Sequence, residues 1–185
     1  MRIIAGRYRS RKLKSVPGTA VRPTPDRLRE ALFNVLAPRI AGTVFLDAYA
    51  GSGAVGIEAL SRGATRIVLI ERDPQALAVL RENLATLQVG SEAVVVRGSA
   101  VSQLRKRSAE LKLDIAFVDP PYELVKEYTE SLSILAETNC PLVIAQHPSR
   151  MVLEEQYGAL VKGRVLRQGD NALSFYEAAN GDLAA

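Results

Sequence analysis

The chain has 185 residues, of which 48% are hydrophobic and 24% charged. That is long enough to bury one core without staples and too balanced in charge for a disordered chain. No apolar run approaches the roughly 18 residues that cross a bilayer, and the opening MRIIAGRYRSRKLKS has no apolar secretory stretch, so a cytoplasmic protein with no membrane partner is expected. A single cysteine, Cys140, and a single histidine, His147, exclude an internal disulfide and a four-ligand zinc site, and no metal is expected. The net charge of +4 is unevenly spread: residues 1–29 hold nine of the 24 basic side chains and one of the 20 acidic ones, Asp26. The head is therefore +8 and the remainder −4. Such a basic arm suits a polyanion, either nucleic acid or an anionic surface.

Along the chain, Arg2-Ile3-Ile4 and Arg11-Lys12-Leu13-Lys14 flank Ala5-Gly6 as a candidate hairpin. A helix follows, with Thr24 as N-cap, Pro25 in its first position, Asp26 at its positive end, and an apolar stripe of Leu28, Leu32, Val35 and Leu36; Pro38 stops it. Val44-Phe45-Leu46 reads as a buried strand, followed by a glycine-rich turn and a short helix to Arg62. Ile67–Ile70 is a second strand, and Asp73-Pro74 starts a helix with the stripe Leu77, Leu80, Leu84 and Leu87. Val94–Val96, Ile115–Val118 and Leu142–Ala145 are further strands, and Leu160–Leu166 with Ala172–Ala178 flank a turn at Gln168-Gly169-Asp170. Short apolar strands between amphipathic helices predict an α/β fold, a mostly parallel sheet covered on both faces, closed by a C-terminal antiparallel hairpin. The expected divisions are a basic extension over 1–22, one α/β domain over 23–179, and a frayed tail over 180–185.

Two motifs point to chemistry. In Asp47-Ala48-Tyr49-Ala50-Gly51-Ser52-Gly53-Ala54-Val55-Gly56, residues 51–56 satisfy G-x-G-x-x-G between a strand and a helix. Glu71 lies 20 residues beyond Gly51, at the end of the second strand, where an acid accepts hydrogen bonds from ribose hydroxyls. Together they imply an adenosine-containing cofactor. Asp47 bears on which one: a carboxylate there repels a pyrophosphate and attracts a cation, which favours the sulfonium–ammonium end of S-adenosylmethionine over NAD. The bland alternative is a loop carboxylate capping nearby amides. The second motif is Asp119-Pro120-Pro121-Tyr122, at the carboxyl end of the fourth strand. Two prolines stiffen the backbone and remove two donors, leaving the Pro120 carbonyl and Asp119 as fixed acceptors beside the flat Tyr122 ring. Two acceptors and a stacking ring suit a planar base that carries an amino group.

With these residues in view, the sequence resembles the RsmD family. The stretches MRIIAGRYRSRKL, RPTPDRLREALFNVL, DAYAGSGAVGIEALSRGA and FVDPPY, in that order, carry the likeness from the N-terminus to about Tyr122. The resemblance implies a Rossmann-like class I S-adenosylmethionine-dependent methyltransferase with a seven-stranded sheet and a small N-terminal β-hairpin extension. It implies methylation of the exocyclic N2 of a guanine in 16S ribosomal RNA, guanine-966 in the family's usual numbering. The partner is then the small ribosomal subunit or an assembly intermediate. Carried over by position, Asp47, Gly51, Ser52 and Gly53 line the methionine end of the donor, Glu71 holds the ribose, and Arg72 and Asp73 flank the adenine. Relatives often have an acid after the third strand; here Ser99, in Arg97-Gly98-Ser99-Ala100, or a backbone group takes that place. Asp119, Pro120, Pro121 and Tyr122 hold the guanine. Arg7, Arg9, Arg11, Lys12, Lys14, Arg22 and Arg29 contact RNA, with Arg22, Thr24, Asp26 and Arg29 over the mouth of the site.

The rivals are a DNA adenine-N6 methyltransferase built on the same Asp-Pro-Pro-Tyr logic, a nicotinamide-dependent oxidoreductase, and a non-catalytic RNA-binding assembly factor. Nothing in the sequence demands a dimer, and a monomer is expected. Removing residues 1–15 is expected to weaken RNA binding and spare donor binding.

Overall fold

Apolar residues at helical spacing bring Leu28, Leu32 and Leu36 to the buried side of α1 (Asp26–Leu36), while Arg27, Glu30 and Asn34 remain exposed. The computed structural model describes residues 1–17, 26–107, 110 and 112–179. Thr24, Pro25, Arg22 and the expected tail over 180–185 lie outside the described residues. The chain divides into two compact units, Met1–Ala100 and Val101–Ala185.

In the first unit, β1 (Val44–Asp47), β2 (Arg66–Glu71) and β3 (Ala93–Arg97) form parallel ladders in the order β3-β2-β1. Ile67–Ile70 are all buried, as expected for a parallel strand covered on both faces, and this accounts for their unbroken apolar run. The connections are α2 (Ala54–Ser61) and α3 (Pro74–Thr86). The Asp73 side chain accepts the Ala76 N–H at 2.7 Å, with Pro74 in the first turn. The predicted stripe Leu77, Leu80, Leu84 and Leu87 is buried.

The N-terminal segment pairs with itself as a hairpin reduced to one antiparallel bridge, Arg2 with Lys12. The amides of Ile3 and Leu13 bond the carbonyls of Arg11 (3.1 Å) and Met1 (3.0 Å). Ile3 and Leu13 are buried, each contributing about 1.5–3 kcal/mol of apolar burial. Gly6, at φ +82°, lies so close to α2 that an added Cβ would sit 1.8 Å from the Ser61 carbonyl oxygen. No residue with a side chain fits there.

In the second unit the strands are β4 (Ile115–Val118), β5 (Leu142–Pro148), β6 (Gln156–Tyr157), β7 (Leu160–Gln168) and β8 (Asn171–Ala178). β4 and β5 are parallel, and β5, β8, β7 and β6 follow as antiparallel neighbours. The helices are α4 (Ala100–Arg107) and α5 (Val125–Ala136). The described residues thus carry eight strands where seven were expected. The addition, β6, has two residues and is too short to leave a pattern in the sequence. β7 and β8 meet through Gln168 and Asn171 across the Gly169-Asp170 turn, as the turn signal predicted.

Both singletons are buried. Cys140 is buried, its sulfur donates to the Leu142 carbonyl at 3.4 Å, and burial pushes its thiol up to about 12. His147 is buried with Nδ1 at 2.9 Å from the Pro148 carbonyl and Nε2 at 2.8 Å from the Ser174 hydroxyl. A carbonyl only accepts, so Nδ1 carries the proton and Nε2 accepts from Ser174. Burial lowers this histidine's pKa, keeping the ring neutral. No helix among the described residues is long and apolar enough to cross a membrane.

Candidate active site

The glycine-rich turn is held by carboxylates from two neighbouring strands. Asp47, at the end of β1, is 2% exposed; its Oδ2 accepts the Gly56 N–H at 3.0 Å, and the Tyr49 backbone also donates to it. The contact to Gly56 lies in the first turn of α2, where the helix dipole favours negative charge. Burial nevertheless dominates and raises Asp47 to about 7, with the Glu71 charge adding to the rise. Glu71, at the end of β2, accepts the Gly51 N–H at 2.7 Å with one oxygen and the Arg72 and Asp73 amides at 2.7 and 2.8 Å with the other. The predicted ribose acid therefore also braces the turn. Each carboxylate oxygen has two lone pairs, so acceptor capacity remains for a sugar hydroxyl.

Gly51 has φ +55°, and a Cβ built on it meets nothing within 4 Å. Its backbone faces open space, as a cradle for a ligand requires. Open backbone next to two carboxylates fits a cationic ligand with sugar hydroxyls and does not fit a pyrophosphate. Ser52 and Gly53 are buried, Arg72 and Asp73 exposed, and Ser99 half-buried just before α4. Asp73 is already engaged as the α3 cap.

The second motif, in the second unit, follows β4. Asp119 and Pro121 are half-buried, Pro120 is buried, and Tyr122 is 43% exposed. The Tyr122 hydroxyl donates to Asn171 Oδ1 at 2.6 Å. Its pKa is raised by burial first and by the Asp119 charge second. The Pro120 carbonyl receives the hydroxyl of buried Tyr128, on α5, in a long 3.4 Å contact. A carbonyl has two lone pairs, so one acceptor position stays available for a substrate N–H. Leu124 closes the turn by donating its amide to the Pro121 carbonyl at 2.8 Å.

The basic arm is sutured to the first unit by groups the sequence reading passed over. Glu58, on α2, is fully buried and accepts the Ile4 and Ala5 amides at 2.8 and 3.0 Å, together with Arg62 Nε at 2.7 Å. The Ser61 hydroxyl donates to the Ala5 carbonyl and accepts the Tyr8 amide. Asn83, 2% exposed on α3, accepts the Lys14 amide at 2.8 Å and donates to the carbonyls of Lys14 (3.0 Å) and Ser52 (2.9 Å). One amide therefore joins the arm to the glycine-rich turn. The sequence signal for Asn83 is a polar residue next to Leu84 in an apolar stripe; for Glu58 it is a lone acid inside AVGIEALS.

Arg7, Arg9, Arg11, Lys12 and Lys14 are exposed. Arg7 pairs with Glu92 at 2.8 Å, and Lys14 pairs with Glu82. Arg29 departs from expectation. It is fully buried, with Nη2 donating to the Arg2 carbonyl at 2.6 Å and to Asp26 at 3.0 Å, and Nε 4.0 Å from Glu58. Burial lowers its pKa. A side chain so enclosed holds the arm in place and does not reach a phosphate. Among the described residues, no group of three or more His, Cys, Asp or Glu side chains is arranged to hold a metal ion.

Strands in α/β order, a glycine-rich turn after β1, an acid ending β2 and Asp-Pro-Pro-Tyr after β4 define the Rossmann-like fold of the S-adenosylmethionine-dependent methyltransferases. An enzyme of that class from Agrobacterium tumefaciens shares the fold at 16% identity, with a TM-score of 0.63, over 85% of this chain and 63% of its own. The chain belongs to the RsmD family, matching the family described as conserved hypothetical protein 95 over residues 1–177. It is 40% identical to the ribosomal RNA small subunit methyltransferase D of Haemophilus influenzae over 75% of this chain and 72% of that relative. The Escherichia coli protein yhhF, provisionally described as a methyltransferase, is 38% identical, with a TM-score of 0.78, over 96% of this chain and 97% of its own.

Proposed function

We propose that the protein methylates small-subunit ribosomal RNA, transferring a methyl group from S-adenosylmethionine to the exocyclic N2 of a guanine, guanine-966 by resemblance. The observation that carries this reading is the intact Asp119–Tyr122 acceptor turn in a chain of this family. S-adenosylmethionine, when bound, supplies an electrophilic methyl group on a sulfonium. Asp47, Gly51, Ser52 and Gly53 hold the methionine end, Glu71 the ribose hydroxyls, Arg72 and Asp73 flank the adenine, and Ser99 stands where relatives place an acid.

A guanine amine is a poor nucleophile because its lone pair is delocalised into the ring. Asp119 and the Pro120 carbonyl accept its two N–H bonds, which favours a pyramidal nitrogen with a localised, nucleophilic lone pair. Most of the acceleration is positioning, and the same acceptors stabilise the positive charge that develops on nitrogen. Asp119 takes the proton, directly or through water. Pro121 stiffens the turn, and Tyr122 replaces the stacking that the base loses on leaving its helix.

The test is transfer of labelled methyl from S-adenosylmethionine to small subunits lacking the modification, beside naked 16S RNA and duplex DNA, with the labelled nucleoside identified. N2-methylguanosine from the subunits is the expected product. N6-methyladenine from DNA would move the chemistry to the adenine rival, and no label would leave a binding factor. Asp119→Ala should lower kcat by roughly a hundredfold or more, with S-adenosylhomocysteine affinity within about twofold of wild type. Equal losses in both would sink the role given to Asp119.

A further inference from the structure

Gln146, on β5, is one residue beyond Ala145, whose register partner on β4 is Val118. The residue after Val118 is Asp119, so Gln146, within β5, stands level with Asp119, which follows the carboxyl end of the parallel strand β4. Gln146 is 3% exposed, and its side chain lies near enough to the Tyr122 hydroxyl to offset part of the rise in that group's pKa. That hydroxyl has one proton, which it donates to Asn171 Oδ1. Gln146 Oε1 is buried and without a hydrogen-bond partner. Buried oxygens are rarely left unpaired in folded proteins, and this one belongs to a residue level with Asp119.

We propose that Gln146 Oε1 accepts the ring N1–H of the target guanine and so selects guanine over adenine. This rests on the guanine reading above. Guanine offers an N1–H donor directly beside its exocyclic amine. Adenine offers an unprotonated N1 beside its own. A further acceptor next to Asp119 and the Pro120 carbonyl completes a row of three acceptors. That row matches guanine's donor edge and sets acceptor against acceptor with adenine. The exposed Tyr122 ring stacks on the base beside these acceptors.

The probe is 2-aminopurine, which keeps the exocyclic amine and lacks the N1 proton. Small subunits are reconstituted with guanine or 2-aminopurine at the methylated position, and methyl transfer is measured with the full-length chain. Wild type should prefer guanine by roughly tenfold or more in kcat/KM. Gln146→Leu should lose activity on guanine and bring the two substrates within about threefold. Gln146→Glu keeps an acceptor and should retain the preference, which covers the case of a poorly folded leucine variant. A preference unchanged in Gln146→Leu, or lost equally in both variants, would overturn the assignment. If wild type leaves the guanine particle unlabelled, the rRNA reading itself falls and takes this inference with it.

Discussion

Asp47 carries the largest opposition between fold and function in the first unit. The folded chain holds its proton up to about 7, chiefly because the carboxyl is buried, whereas an unfolded aspartate releases it near 4. The folded state therefore gains stability from this group below about pH 4. That gain is lost as pH rises through 7, where a buried charge must be carried. Asp47→Asn removes the dependence. The variant should melt above wild type at pH 8, with the difference shrinking toward pH 5, as thermal denaturation of the ligand-free protein would show. The same variant should bind S-adenosylmethionine more weakly at pH 8, since the ionised carboxylate is the form that attracts a cation. A melting difference independent of pH would refute this account of Asp47.

At the scale of elements, α2 is the hub of the first unit, because its buried Glu58 holds two arm amides and Arg62. Glu58→Ala strands those amides and leaves the buried Arg29 without its nearest α2 carboxylate, a loss of about 3–5 kcal/mol. Urea denaturation should show this as a lower midpoint. A change below about 1 kcal/mol would mean the arm is held by its apolar contacts alone. The strands and the helix stripes were readable in the sequence because burial on both faces writes unbroken apolar runs and helical spacing writes a stripe. The two motifs were readable because glycine and proline restrict the backbone locally. The partners were not. Which backbone amide a buried Glu58 or Asn83 meets depends on residues about 50 to 70 positions away, and no local pattern encodes such a pairing. The misplacement of Arg29 has the same origin, since a cation in a basic stretch looks exposed until Glu58 and the Arg2 carbonyl are brought to it.

Across the whole chain, the excess of positive charge at the head belongs to side chains that face solvent from a docked segment. Arg9 and Lys12 are exposed, and reversing both to glutamate should leave the fold intact and weaken RNA binding. If each contacts one phosphate, the slope of log affinity against log salt should fall in magnitude by about 1.5. Binding measured between 50 and 200 mM salt checks this, and an unchanged slope would place the RNA elsewhere.

The Asn83 amide that bonds both Lys14 and Ser52 changes what a shortened chain can reveal. Cutting away residues 1–15 takes more than a polyelectrolyte tail. It uncaps a carboxylate inside α2, strips two partners from Asn83, and loosens the amide that steadies the Ser52 carbonyl. Donor affinity should then decline together with RNA affinity, contrary to the separation the sequence suggested. The head is a foundation stone with a charged outer face, and only its outer face can be altered alone.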